Sequence, residues 1–68
     1  MNIKINGEES VLDSKITLNE FITKRLNGKE PRGIAVALNM TIIPKSKWDE
    51  TVINENDEIE IVTAVQGG

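Results

Sequence analysis

Hydrophobic and polar positions alternate near both ends of the chain, and helical spacing appears once between them. In Asn2-Ile3-Lys4-Ile5-Asn6, the two isoleucines fall on one face of an extended segment. The Asn6-Gly7 pair that follows can take the positive φ angles of a tight hairpin turn, and Glu9 to Leu12 reads as the returning strand. From Leu18 the period changes. Leu18, Phe21, Ile22 and Leu26 form one apolar stripe of a helix. Thr17 is its expected N-cap, Glu20 completes a capping box, and Ile16 and Phe21 hold the two positions of a hydrophobic staple. Asn27-Gly28 ends this helix of about ten residues, and Pro31 keeps it from resuming.

Period two returns in Gly33-Ile34-Ala35-Val36-Ala37-Leu38-Asn39. Ile34, Val36 and Leu38 are expected to face the helix, with Ala35 and Ala37 outward. A turn at Asn39-Met40 leads into Thr41-Ile42-Ile43, a short strand stopped by Pro44. Lys45 to Glu50 reads as a polar helical turn around Trp48, which covers an open end of the core. Thr51-Val52-Ile53 is apolar but brief. Asn54 to Asp57 is a turn in which Asn56 best suits a left-handed backbone. A last strand then sets Ile59, Ile61, Thr63 and Val65 on one face and Glu60, Val62, Ala64 and Gln66 on the other. One helix with one apolar stripe needs a sheet to lie on. The order therefore predicts an α+β fold, a mixed sheet of about four to five strands with one main helix packed on one face. No repeat or linker divides the 68 residues, which are read as a single domain spanning 1–68.

Composition narrows the chemistry. The chain has no cysteine, hence no disulfide, thiolate metal site or cysteine nucleophile. It has no histidine, the side chain that most readily moves protons near neutral pH. A net charge of −3 argues against nucleic acid as a partner. The apolar runs are too short to span a bilayer and the opening residues read as a strand, not a signal peptide, so a soluble cytoplasmic protein, monomeric when free, is expected. Six of the eight basic residues lie between Lys24 and Lys47, and six of the eleven acidic ones between Asp49 and Glu60. Solvated surface explains this plainly; an acidic end that steers toward a basic partner is the alternative.

Few residues are placed to do chemistry. Asn39-Met40-Thr41 matches a glycosylation sequon, for which chance is the better explanation without a secretory signal. Glu58 and Glu60 share a strand face but have no recognisable further metal donors. Two other features stand out. On the last strand the outward face changes from Glu58 and Glu60 to Val62 and Ala64. If this strand lies beside Ile34–Leu38, then Ala35 and Ala37 extend an apolar patch. Exposed alanine and valine are common, so the patch is either ordinary surface or a docking site. The strand also runs into Gly67-Gly68. A backbone without Cβ atoms can enter a slot too narrow for other residues, and Val65 to Gly68 reaches about 13 Å when extended. A frayed glycine end is the plain reading; delivery of a terminal carboxylate into a partner's active site is the functional one.

Asn39-x-x-Ile42-Ile43-Pro44, the Trp48 four residues beyond that proline, and Ile61-Val62-x-Ala64-Val65-x-Gly67-Gly68 together resemble the ThiS family, sulfur carriers of thiamine biosynthesis. The resemblance covers the whole chain. Where the family often has Asp-Gly-Asp before the last strand, this chain has Glu55-Asn56-Asp57, and asparagine tolerates the same backbone. The resemblance implies a ubiquitin-like β-grasp fold whose first and last strands are parallel and central. It also implies a chemistry. A ThiF-like activating enzyme, using its own ATP and Mg²⁺, adenylates Gly68. A sulfur donor converts the adenylate to a thiocarboxylate, and a ThiG-like synthase takes that sulfur into the thiazole ring. Gly68 is then the reacting residue, Val65, Gln66 and Gly67 its tail, and Val62, Ala64, Ala35 and Ala37 the docking patch; the chain itself binds no cofactor or metal. Other roles stay open: a carrier for molybdopterin, a modifier conjugated to proteins through Gly68, or a plain binding domain. An enzyme in its own right fits least, since no nucleophile–base pair is visible.

Overall fold

The structure, a computed structural model, describes residues 1–27 and 33–63. Gly28, Pro31 and the segment 64–68 lie outside the described residues. Five strands form one sheet: β1 Asn2–Ile5, β2 Glu8–Val11, β3 Ile34–Leu38, β4 Thr41–Ile42 and β5 Glu58–Thr63, in the order β2-β1-β5-β3-β4. The two hairpins, β1–β2 and β3–β4, are antiparallel, and β5 inserts between them. It runs parallel to β1, with Lys4 opposite Glu58 and Ile5 opposite Ile59, and antiparallel to β3. One helix, α1 Leu18–Arg25, and a 3₁₀ helix at Lys45–Glu50 complete the described elements. This is the ubiquitin-like β-grasp arrangement, with the first and last strands central and parallel as expected. Among the described residues no helix is long and apolar enough to cross a membrane.

The turns between strands take a left-handed backbone, mostly on asparagine or glycine. Asn6 and Gly7 have φ of 50° and 84°, and Asn39 and Met40 of 50° and 70°, the paired positive angles of two-residue hairpin turns. Asn56 follows suit at 67°. At the start of α1, Thr17 Oγ accepts from the Glu20 N–H at 3.1 Å and Glu20 Oε1 accepts from the Thr17 N–H at 3.2 Å. This is the capping box, and Ile16, half-buried, and Phe21, buried, stand at the staple positions. The helix ends with Leu26 as C-cap and Asn27 left-handed beyond it, at φ 54°.

The core fills the space between the sheet and α1. Ile3, Val36 and Ile59 come from three strands, and Leu18, Phe21 and Ile22 from the helix. Trp48 does more than cover an open end. The 3₁₀ helix carries it inward until it is 2% exposed, with its indole N–H donating to the Ile43 carbonyl at 2.9 Å. The brief apolar run at 51–53 is a brace for the helix, not a ladder strand. Leu18 N–H donates to the Thr51 carbonyl at 2.7 Å and Ile53 N–H to the Ile16 carbonyl at 3.0 Å. One of the first-turn N–H groups left unpaired by helix geometry is satisfied in this way, while Ile53 is buried.

Candidate functional site

The side of the sheet away from α1 carries the candidate surface. The register places its residues in cross-strand rows. In one row Lys4 lies between Glu9 of β2 and Glu58 of β5. Glu58 is thus a member of a row of alternating charge. In the next row Glu60 faces Ala37, which faces Ile42 on β4. Beyond it Val62, 60% exposed, faces the exposed Ala35. Along β5 the surface therefore passes from charge to apolar groups toward the C-terminal end, as the alternation in sequence suggests.

The expected patch is partly assembled by this register. Val62 and Ala35 are direct neighbours, and half-buried Ala37 sits between Glu60 and Ile42. Ala64, Val65, Gln66, Gly67 and Gly68 lie outside the described residues. Two residues join that the alternation argument did not include: Ile42, 66% exposed, extends the patch across Ala37, and Met40, 88% exposed, stands at the turn beside it. A signal for Ile42 is present in the sequence. Adjacent Ile42 and Ile43 on an extended segment must point to opposite faces, so one of them turns away from the core.

Two polar clamps fix β5 beneath this surface. At its start, Asn39 Oδ1 accepts the Glu58 N–H at 2.9 Å while Asn39 Nδ2 donates to Asp57 Oδ1 at 3.0 Å. Both ends of the amide are used, so the Asn39 sequon is part of the fold's hydrogen bonding. Further along, Asn6 Oδ1 accepts the Ile61 N–H at 2.8 Å, after Asn6 N–H has donated to the Ile59 carbonyl at 2.8 Å. The strand that leads to the Gly-Gly end is held from both sides, by side chains where backbone pairing runs out. Among the described residues no group of three or more acidic side chains is gathered for a metal ion.

Comparison with known proteins agrees with this geometry. The chain is 34% identical over 68 residues to a thiazole synthase from Paramagnetospirillum magneticum, of which it spans 20%. It is 35% identical over 68 residues to the uncharacterized protein ycf40 of Porphyra purpurea, covering 93% of that protein. A solved crystal structure, the thiamine biosynthesis protein ThiS from Geobacter metallireducens, superposes with a TM-score of 0.82 at 24% identity, covering 100% of both chains. The solution structure of a thiamine biosynthesis protein from the same organism gives 0.78, covering 100% of this chain and 88% of that one. The model of the ThiS family matches residues 2–68, so that with the β-grasp sheet and the Gly-Gly motif already in place, this chain belongs to the ThiS family.

Proposed function

We propose that this protein carries sulfur as a thiocarboxylate on Gly68 and supplies it to the thiazole ring of thiamine. The supporting observation is the family match, which runs through the last residue of a chain that has no cysteine to carry sulfur elsewhere. The relative named thiazole synthase contains a segment like this chain, as suits a carrier that works beside such an enzyme. The whole of 1–68 then acts as one carrier domain, with Val65, Gln66 and Gly67 as the tail that leads to Gly68.

The chemistry follows from the poor reactivity of a carboxylate. The Gly68 carboxylate attacks the α-phosphate of ATP on a ThiF-like enzyme, which holds the nucleotide and Mg²⁺. Pyrophosphate leaves and an acyl-adenylate forms. The terminal sulfur of a donor persulfide attacks the acyl carbon and AMP leaves. A thiol then cleaves the remaining S–S bond and frees the thiocarboxylate, which a ThiG-like synthase consumes. This chain contributes no acid or base to these steps. Its β5 and the Val62–Ala35 surface dock the partner, and Gly67 and Gly68 pass into the partner's slot.

Adenylation by the cognate enzyme, followed by intact mass, tests the reading. Deleting Gly68 should abolish both AMP transfer and the mass gain of one oxygen exchanged for sulfur, with the fold retained. Gly67→Val should also block activation. Val62→Glu should leave Gly68 chemically competent but weaken the complex at least tenfold, because a carboxylate is buried without a partner; such burial costs about 1–3 kcal/mol or more. Sulfur acquired at wild-type yield by the Gly68 deletion would end the carrier assignment.

A further inference from the structure

Among the described residues, the last part of β5 is unpaired on one edge. Along a strand, the N–H and C=O of one residue point to the same side, and successive residues alternate. Lys4 N–H donates to the Asp57 carbonyl at 2.9 Å, Asn6 N–H to the Ile59 carbonyl, and Ile61 N–H to Asn6 Oδ1. Asp57, Ile59 and Ile61 therefore present their backbone groups to β1, and Thr63 does the same. At Gly7, φ 84°, the first hairpin turns back and β1's lane is vacated. On this side the Ile61 carbonyl and the Thr63 N–H have no partner among the described residues. On the other side β5 stays paired to β3 as far as Thr63, opposite Ile34.

A cleft of about 240 Å³ adjoins this open edge on the helix side. Ile22, Leu26, Ile34 and Ile61 supply its apolar wall, and Arg25 is the charged residue of its lining. Five residues follow Thr63 in the sequence. Extended, they reach about 17 Å, so a partner that closes on Gly68 lies within that distance of the open edge.

Resting on the carrier reading, we propose that the adenylating partner adds a strand to the open edge of β5. An extended segment of that enzyme hydrogen-bonds to the Ile61 carbonyl and the Thr63 N–H. It sets one apolar side chain in the cleft and an acidic one against Arg25. This pairing continues the lane that β1 leaves and fixes the direction in which the tail departs. It adds backbone recognition at the edge to the side-chain contacts of the Val62–Ala35 face.

The test uses the full chain and its cognate adenylating enzyme. In wild-type protein, exchange of the Thr63 amide is expected to slow at least about tenfold in the saturated complex, as for an amide newly paired in a ladder. Thr63→Pro removes the N–H without touching a hydrogen bond among the described residues, since the groups facing β3 belong to Val62 and Glu60. It should keep the thermal midpoint of the wild type and weaken binding about tenfold or more, whereas Thr63→Val, which keeps the N–H, should bind within about twofold. Arg25→Glu should weaken binding more at low salt than at high salt. A Thr63 amide that exchanges equally fast in the free and bound protein overturns the proposal, even if Thr63→Pro proves unstable. Protection of that amide in the free protein that rises with concentration would overturn it too, by assigning the edge to a second copy. If Gly68 is required for adenylation while the Thr63 amide stays unprotected, the edge pairing alone fails. If no complex forms, both readings fail.

Discussion

Asparagine does much of the local work in this protein. Asn6, Asn27, Asn39 and Asn56 all hold positive φ angles, and Asn6 and Asn39 also lend their side chains to β5. The first property is legible in the sequence, because asparagine beside glycine or in a polar run marks a left-handed turn. The second is not, since the Asn39 amide meets Asp57 and Glu58 eighteen and nineteen residues away. Asn39→Ala should cost about 1–3 kcal/mol in urea melts, from two lost hydrogen bonds and a Cβ held at positive φ without compensation. Met40 offers the opposite case. It is a positive-φ residue with a long exposed side chain and no polar atom to offset the strain. Met40→Gly should raise stability by about 0.5–1 kcal/mol by the same measurement, because Asn-Gly is the preferred pair for this turn.

Among the elements, α1 shows how far a short helix depends on its surroundings. Eight residues are too few to hold a helix alone in water. The capping box, the brace from Thr51 and the burial of Leu18, Phe21 and Ile22 supply what length does not. Thr17→Ala should therefore cost about 1 kcal/mol, and Phe21→Ala about 3–5 kcal/mol, both read from denaturant midpoints. The cap, staple and apolar stripe were all readable, since each is a pattern within a few residues. The brace was not, because a run as brief as Thr51-Val52-Ile53 gains its meaning from the helix start it meets in space. Trp48 was readable as a core residue but not in its depth, which depends on the Ile43 carbonyl turning toward its indole. On the candidate surface, the alternation of β5 revealed Val62. Ile42 entered only when the register set it beside Ala37.

In the whole molecule, β5 is the strand on which the sheet depends. Among the described strands it alone joins the β1–β2 hairpin to the β3–β4 hairpin, and it carries buried Ile59 between them. A chain ending after Asp57 should lose the cooperative thermal transition that the full chain shows by circular dichroism, because two separate hairpins are at best marginally stable in water. The strand that completes the sheet is thus also the one that leads in sequence toward the Gly-Gly pair.

That arrangement has a consequence for the protein as it is synthesised. Each hairpin joins residues close in sequence, but β1 has no central neighbour until β5 has been translated. Pairing of Lys4 with Glu58 closes the whole stretch between residues 4 and 58, and such distant contacts form late. A ribosome that stalls before residue 58 releases a product without a sheet centre, open to proteolysis. A compact molecule is therefore one whose synthesis has passed β5, the strand that leads in sequence toward the glycine pair.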